Sequence, residues 1–342
     1  MSPEKRTEKR PHKRVDTVRL QTIAMGYWES AALMAGVELG LFTAISKGAG
    51  TDDEVAAALD ITPLNAERLA TVAMAMGLLT RVDGRYVNAD DVERFLVEGE
   101  RSYAGPWMLF TKPMWENFGT LSDHLRNKDV TILGEYDNLT VDAAREMHEG
   151  TYSIGMGAGR RFVRQVDLST RTKILDLGGG SGAYSINAAK THPHIKAVVF
   201  DLPSVAVVAR EFIAENGVSD RVEALGGDFT KDALPTDCDV AIMASNLPIY
   251  NRDIIADVVK RAFDALLPGG EMHLIGETLN DTRDGPIGPA LWGLAQAINA
   301  STGLAHTDAD CRGYFERAGF VDVAVHEFVS GTLNRITGTK PS

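Results

Sequence analysis

Glycines and acidic residues follow three successive apolar segments of this chain, in a spacing that suits a nucleotide-like ligand. The apolar residues 174–177 lead directly into Gly178-Gly179-Gly180-Ser181-Gly182. Asp201 follows a second apolar segment, and Gly227-Asp228-Phe229 follows a third. Glycine lets the backbone turn sharply and approach a ligand closely at the end of a strand. An acid after the next strand can accept hydrogen bonds from a ribose diol, and an Asp-Phe pair can bind an adenine amine and cover its ring.

These residues suit S-adenosylmethionine (SAM) better than they suit NAD. The dinucleotide fingerprint Gly-x-Gly-x-x-Gly requires a third glycine, which packs the helix on the strand. Here Ala183 or Ser185 stands in that place, depending on the register chosen. Asp176, inside the strand, would repel a pyrophosphate but can hold the ammonium group of an amino acid. The spacing therefore predicts a SAM site, and the alternative is a purely structural turn between strand and helix.

Composition narrows the function classes. A length of 342 residues suggests about two domains. The net charge of −12 argues against broad nucleic-acid binding, which needs cations to neutralise phosphates. Cys238 and Cys311 lie far apart and show no metal-ligand spacing, so we expect neither a disulfide nor a metal, and a cytoplasmic location. No apolar run approaches the roughly 18 residues of a membrane span.

The chain divides into four predicted parts. We expect a disordered basic tail at 1–14, a winged-helix dimerisation domain at 15–100, a helical linker with substrate-pocket helices at 101–165, and a SAM-binding domain at 166–342. Within the second part, Thr51 and Glu54 form a capping-box pattern, and Thr62-Pro63 opens another helix. Asp83-Gly84 between two short apolar runs predicts a hairpin.

A winged helix can bind DNA, but the charges here oppose that function. The helix that would read DNA, residues 62–76, carries Arg68 as its one basic residue, beside Glu67. The preceding segment is acidic. The apolar residues 25–41 instead predict helices that are buried between the subunits of a homodimer.

From residue 170 onward, strands and helices alternate. The predicted strands are 174–177, 197–200, 222–225, 240–243, 272–275 and 321–325. Alternation of this kind is typical of an α/β domain, with a mostly parallel sheet covered by helices on both faces. Residues 267–270 read Leu-Pro-Gly-Gly and predict a tight turn before the fifth strand.

The whole chain resembles the SAM-dependent small-molecule O-methyltransferases of the plant and bacterial-antibiotic type. The matching runs are residues 175–182, Asp201-Leu202-Pro203, Arg221-Val222 with residues 226–229, residues 267–270 and Arg317-Ala318-Gly319-Phe320. The resemblance implies a winged-helix dimerisation domain followed by a Rossmann-like domain with a seven-stranded sheet. It assigns the methionine end of SAM to the glycine turn, the ribose to Asp201 and the adenine to Asp228 and Phe229. The full set of expected cofactor-binding residues is Asp176, Gly178, Gly180, Gly182, Asp201, Leu202, Gly227, Asp228, Phe229 and Ser245.

One feature departs from that family. After the fourth strand, its members carry a Leu-His-Asp-Trp-like run whose histidine takes the proton from the substrate hydroxyl. Here residues 245–253 contain no histidine, and Ile249 or a neighbour stands at the site of the base. General base catalysis typically contributes about 10²- to 10⁴-fold in rate. A hydroxyl-methylating enzyme therefore needs a substitute for this histidine.

Three explanations are compatible with the missing histidine. Tyr250 can replace it, although tyrosine normally titrates around 10. The protein can be a non-catalytic SAM-binding or regulatory protein. Or the nucleophile carries no proton, as in a thioether sulfur, and positioning supplies most of the acceleration. In this last respect the chain is similar to the bacterial methylthiohydroxybutyrate S-methyltransferases of dimethylsulfoniopropionate synthesis, which implies 4-methylthio-2-hydroxybutyrate as the acceptor.

The resemblance also places a substrate pocket between three segments. The expected substrate-binding residues are Met147, His148, Thr151, Tyr152, Met156, Asn246, Tyr250, Trp292, Gln296 and Asn299. An aromatic cavity suits a developing sulfonium through cation–π contacts. Arg160, Arg161 and His148 are candidates for binding a substrate carboxylate. His306 precedes Thr307, a predicted N-cap, and is interpreted as structural.

Overall fold

The computed structural model describes residues 15–342, so the basic tail predicted at 1–14 lies outside the described residues. Two compact units divide the chain, and the second spans Leu109–Ser342. The boundary thus falls after Met108, eight residues beyond the predicted end of the dimerisation domain. The long helix of the predicted linker packs within the second unit. No helix among residues 15–342 is long and apolar enough to cross a bilayer.

The described part of the first unit, from residue 15, holds four helices, a hairpin and a short fifth helix. Its elements are α1 (Val18–Glu38), α2 (Leu41–Ser46), α3 (Asp52–Leu59), α4 (Pro63–Ala75), β1 (Leu79–Val82), β2 (Arg85–Asn88) and α5 (Asp90–Phe95), and α6 (Gly105–Leu109) crosses the boundary. The capping box predicted at Thr51 and Glu54 is present in both directions. Asp83 and Gly84 both have positive φ, as the two-residue hairpin turn requires.

The second unit is an α/β domain preceded by short helical turns. Those turns are the 3₁₀ segments Lys112–Met114 and Gly134–Asn138, with α7 (Trp115–Gly119) and α8 (Leu121–His124). The helices that follow are α9 (Val141–Gln165), α10 (Ala183–Thr191), α11 (Pro203–Glu215), α12 (Arg252–Ala265), α13 (Ile287–Ala295) and α14 (Asp308–Ala318). The strands are β3 (Lys173–Leu177), β4 (Lys196–Asp201), β5 (Val222–Gly226), β6 (Cys238–Ala244), β7 (Leu266–Gly276), β8 (Val321–Val329) and β9 (Leu333–Thr339).

These strands form one seven-stranded sheet in the order β5-β4-β3-β6-β7-β9-β8. The first five run parallel, and β9 is antiparallel to both of its neighbours. The predicted α/β class is confirmed, and all six strands predicted individually are present. The seventh, β9, has a mixed polar sequence, and the alternation of strands with helices did not identify it because β9 follows β8 directly.

Two apolar clusters cover the two faces of the sheet. One joins the sheet to α9, α10 and α11 through buried side chains such as Phe162 and Ile186. The other joins it to α12 and α14 through Val258 and Phe315. Burial of these side chains stabilises the domain by about 25 cal/mol per Å² of apolar surface. The sheet is therefore a rigid base for the loops at its carboxyl edge.

Candidate active site

The chain reverses its direction across the sheet at β3. It runs from β3 outward to β4 and β5, then returns to place β6 on the other side of β3. Ligands of open α/β sheets bind outside the carboxyl ends of the strands at such a switch point. Gly178 follows β3, Asp201 ends β4, and Asn246 follows β6. Three segments that the sequence predicted to bind cofactor or substrate thus meet at the carboxyl edge of the sheet.

The turn after β3 requires glycine at positions 178 and 180, because of the backbone conformation and because of close neighbours. Gly178 and Gly180 have φ of 62° and 55°, in the left-handed region. A Cβ on Gly178 would lie 2.2 Å from Nδ2 of Asn246, and one on Gly180 would lie 2.5 Å from Cε1 of His148. The turn is therefore held tightly between the helix before the sheet and the loop after β6. Gly182, at φ 75°, is the N-cap of α10.

Asp176 and Asn246 present unsatisfied polar atoms beside this turn. The Asp176 side chain is fully buried, and its Oδ2 accepts a hydrogen bond of 2.7 Å from Ser185 Oγ. Burial, opposed by the Ser185 bond and reinforced by Asp201, raises the pKa of Asp176 to about 6. Its Oδ1 and the Oδ1 of Asn246 are buried without a hydrogen-bond partner in the described part of the chain. Two such acceptors fit the ammonium group of a bound amino acid moiety.

Asp201 holds the glycine turn from the end of β4. Its Oδ2 accepts from the Gly180 N–H at 2.8 Å, and its Oδ1 accepts from the Leu202 N–H at 2.7 Å. Burial raises the pKa of Asp201 to about 6, although both of these bonds lower it. Each carboxylate oxygen keeps a second lone pair, which suits a ribose hydroxyl. The sequence predicted Asp201 as a ribose-binding residue but did not predict its bond to the turn.

Gly227, Asp228 and Phe229 lie together after β5. A Cβ on Gly227 would lie 2.4 Å from the Phe200 ring, so this glycine makes room for an aromatic side chain of β4. Burial raises the pKa of Asp228. Hydrogen bonds from Thr230 and the nearby charge of Lys231 together lower it by more, so the pKa lies below its usual value. Phe229 is buried, with its ring edge-to-face on Tyr250 at 5.3 Å. Asp228 is thus an ionised acceptor next to an aromatic wall.

The predicted substrate residues separate into two groups. His148, Asn246 and Tyr250 lie around the glycine turn and Phe229. Tyr152 packs elsewhere, with its ring stacked on Phe212 at 4.4 Å and its hydroxyl accepting from Asn216. Met156 also packs with that cluster, and its sulfur accepts from Asn187. For Tyr152 and Met156, these contacts favour packing over substrate binding.

Internal hydrogen bonds also occupy other predicted substrate residues. Thr151 Oγ1 donates to carbonyls of its own helix, at Met147 and His148. Gln296 is buried, accepts from Ser301 Oγ and donates to the Trp292 carbonyl. The Asn299 carbonyl accepts from the Glu135 N–H, which ties two loops together. Met147 and Trp292 are partly buried, and Ser245 is exposed with a φ of 62°.

Two titratable groups at this edge are poor bases at neutral pH. Burial raises the pKa of Tyr250 well above its usual value, and Asp201 and Asp228 add to the shift. Burial lowers the pKa of His148 to about 4, and its Nε2 has no hydrogen-bond partner among residues 15–342. His148 is therefore neutral near pH 7, and Tyr250 stays protonated.

Glu277 and His306 are two further titratable residues near the carboxyl edge of the sheet. Glu277 directly follows β7, and burial raises the pKa of its carboxyl. Sequence reasoning missed Glu277, although an acid directly after a strand was the signal that identified Asp201. His306 is fully buried, with Nδ1 2.8 Å from the Tyr314 hydroxyl and Nε2 2.9 Å from the Tyr250 carbonyl. The structural interpretation of His306 agrees with this geometry.

Comparison with known proteins matches both parts of the chain. The family model for an O-methyltransferase domain matches residues 135–321, and the model for an O-methyltransferase dimerisation domain matches residues 21–98. A 3-hydroxy-5-methyl-1-naphthoate 3-O-methyltransferase of Streptomyces sahachiroi is 30% identical, with 93% of both chains covered. An L-tyrosine C(3)-methyltransferase of Streptomyces lavendulae is 29% identical, covering 90% of this chain and 87% of that protein.

A solved structure supports the fold. Human N-acetylserotonin methyltransferase, crystallised in complex with SAM, superposes with a TM-score of 0.80 at 22% identity, covering 98% of this chain and all of that one. The non-catalytic and regulatory alternatives left open by the sequence are set aside by these matches. The chain belongs to the SAM-dependent O-methyltransferase family that carries an N-terminal dimerisation domain, and it is a methyltransferase.

Proposed function

We propose that this methyltransferase acts on the sulfur of a small thioether acid, with 4-methylthio-2-hydroxybutyrate as the acceptor and dimethylsulfoniopropionate biosynthesis as the context. Bound SAM supplies an electrophilic methyl group. Asp176, Asn246 and the glycine turn would hold its methionine end, Asp201 its ribose, and Asp228 with Phe229 its adenine. The relatives named above act on oxygen and on carbon, so the acceptor atom varies within the family.

The acidic character of the carboxyl edge carries this proposal. Asp176 and Asp201 are buried there and Glu277 is partly buried, and burial raises the pKa of each. A neutral thioether becomes a sulfonium when it is methylated, and nearby carboxylates stabilise the developing positive charge. A hydroxyl that must lose a proton develops negative charge, which the same carboxylates destabilise.

The poor basicity of Tyr250 and His148 supports the same conclusion. Tyr250 would have to ionise in a buried place beside Asp201 and Asp228, which raise its pKa further. His148 is available as a neutral imidazole, but a base of pKa about 4 has little driving force to take a proton from a hydroxyl. A thioether needs neither residue as a base, because no proton leaves it.

A hydroxy-acid acceptor also needs a partner for its carboxylate. Arg161 is occupied, since its Nη1 donates to the Phe328 carbonyl at 2.7 Å, and Arg160 is exposed on α9. His148 remains the candidate nearest the glycine turn. A neutral histidine with an unpartnered ring nitrogen can donate one hydrogen bond to a carboxylate.

O-methylation of a phenolic or natural-product hydroxyl is the second candidate. Its support is the 30% identity to the naphthoate 3-O-methyltransferase over 93% of both chains. In that case His148 or Tyr250 would serve as the substitute base.

A panel assay separates the two candidates. The purified full chain is incubated with SAM and methylthiohydroxybutyrate, methionine, methylmercaptopropionate or several phenols, and the methylated product of each is quantified. We expect transfer to methylthiohydroxybutyrate, with a rate that changes little between about pH 7 and 9, because no proton leaves the nucleophile. Turnover of phenols without turnover of thioethers would refute the sulfur proposal and favour the hydroxyl.

We also propose that the protein is a homodimer formed through the first unit. The match of residues 21–98 to a dimerisation domain supports this. So does the exposure on α1 of apolar side chains such as Val18, Leu20, Ile23 and Trp28.

A further inference from the structure

A cavity lies at the opposite edge of the sheet from the glycine turn. Its volume is about 370 Å³, within the range of small-molecule sites. It lies beside the C-terminal end of α9 and the face shared by β7 and β9, with Glu271, His273 and Arg335 in its wall. Glu277, at the other end of β7, is six residues from Glu271, or roughly 20 Å along a strand. The cavity is therefore separate from the SAM site.

The wall of this cavity contains a row of neighbouring polar side chains: Arg335, His273 and Glu271. Arg335 is 9% exposed, and its Nη1 is 3.1 Å from His273 Nδ1. Because guanidinium only donates, His273 Nδ1 is the acceptor and the ring hydrogen lies on Nε2. That Nε2 lies 3.4 Å from Glu271 Oε1, but the two atoms make no aligned hydrogen bond.

The buried and partly buried positive and negative charges in the cavity wall do not balance. Glu271 is already paired with Arg171, at 3.2 Å between Oε2 and Nη2. Among residues 15–342, Arg335 has no ion pair with a carboxylate, and its Nε has no hydrogen-bond partner. Among the described residues of the wall, Glu271 is thus a partly buried carboxylate beside two guanidinium groups, of which only Arg171 is paired with it. Asp167 also lies in the wall, but it is exposed and accepts from the Ser169 N–H.

An unpaired buried cation is unfavourable unless something compensates it. Burial lowers the pKa of Arg335, although Glu271 opposes the shift, which is consistent with incomplete compensation. A carboxylate or phosphate in the cavity would supply the missing charge and accept from Nε and Nη of the guanidinium fork. Thr337, opposite His273 in the β7–β9 pairing, adds a hydroxyl to the wall.

We propose that this cavity is a second binding site, in which Arg335 and Thr337 bind the carboxylate or phosphate group of a small molecule. The site is independent of methyl transfer and of the identity of the acceptor. Its place at the amino ends of the parallel strands leaves the SAM edge free, so both sites can be occupied at once.

Calorimetric titration of the full chain with inorganic phosphate and, separately, with succinate tests the site at constant ionic strength. We expect saturable binding of at least one anion, with a Kd on the order of 1 mM or tighter. Tighter phosphate binding assigns a phosphorylated ligand, and tighter succinate binding assigns a carboxylate. Arg335→Gln should weaken binding at least about tenfold, while Arg164→Gln, on the exposed side of α9, should leave it unchanged.

Two further measurements keep the test decisive. Thr337→Val removes one hydroxyl at nearly constant volume and should weaken binding roughly 3- to 10-fold, which decides the matter if Arg335→Gln does not fold. SAM affinity should stay within about twofold in both variants. Absence of saturable binding by either anion, or wild-type affinity in the folded variants, would overturn the proposal. A parallel loss of SAM affinity would overturn the separateness of the two sites.

Discussion

His148 and Gly180 lie so close that no side chain fits between them, since a Cβ on Gly180 would lie 2.5 Å from His148 Cε1. The packing of α9 on α10 brings them together. A Cβ on Gly159 would lie 2.6 Å from the Ala183 carbonyl oxygen, so the two helices approach closely where this glycine stands. The His148 side chain projects from α9 past the N-terminus of α10 and reaches Gly180, in the turn that precedes α10.

Gly180→Ala should therefore weaken SAM binding at least roughly tenfold. The variant adds the strain of a left-handed non-glycine residue to the collision with His148. Calorimetry with SAM measures the effect. Gly119→Ala is the matched control, because a Cβ there meets nothing within 4 Å and φ is not positive. Equal SAM affinity in the two variants would contradict the tight turn described here.

SAM affinity should rise with pH between about 5 and 7 and then level off. Asp176 and Asp201 each have a pKa of about 6. The ammonium group of SAM would bind the ionised form of Asp176, and its ribose hydroxyls would donate to the ionised form of Asp201. Near pH 6, titration in buffers of different ionisation enthalpy should detect proton release on binding. Asp176→Asn should reduce that release. An affinity independent of pH across this range would show that neither carboxyl titrates on binding.

The same two carboxyls should make the ligand-free chain less stable at neutral pH. Their pKa values in the folded chain lie above 3.8, so folding favours the protonated forms. Their contribution to the free energy of unfolding is full below about pH 4 and is lost as pH rises through about 6. Urea unfolding at several pH values measures this. In Asp201→Asn the decline with rising pH should be smaller than in the wild type.

Tyr250→Phe should keep the methyl transfer rate within about threefold, because the tyrosine hydroxyl is not expected to ionise. Tyr250→Ala should weaken SAM binding, since it removes the ring that supports Phe229. Product formation and SAM affinity are measured for both variants. Loss of most activity in Tyr250→Phe, together with a rate that rises with pH in the wild type, would instead identify Tyr250 as a base.

His306→Leu should lower the free energy of unfolding by about 2 to 4 kcal/mol, since it leaves the Tyr314 hydroxyl and the Tyr250 carbonyl unpaired in the core. Exposed His194→Leu, the control, should change it by less than about 0.5 kcal/mol.

Burial lowers the pKa of His306 to about 4. Its stabilising contribution is therefore present above about pH 6.5 and is lost as pH falls toward 4.

Light scattering should give a mass of about twice 37.0 kDa at micromolar concentrations. Ile23→Glu places a charge among the exposed apolar side chains of α1 and should shift the mass toward the monomer. Leu125→Glu, an equally exposed leucine in the second unit, should leave it unchanged. A monomeric wild type would refute the proposed dimer.

The sequence alone determined the α/β class and the segments of the cofactor edge. Strand apolarity, the glycine run and the acids at strand ends are local signals, because each reflects how a short segment must turn or be buried. The capping box at Thr51 and the hairpin at Asp83 were predictable for the same reason.

Tertiary structure decided which of the candidate residues lie around the glycine turn. Met147 to Met156 share one helix, and their spacing does not reveal that His148 reaches Gly180 while Tyr152 packs on Phe212. The raised pKa values of Asp176 and Asp201 depend on burial by elements distant in sequence. The unpaired Arg335 is likewise visible only when β7, β9 and α9 are assembled, because charge balance is a property of neighbours in space rather than along the chain.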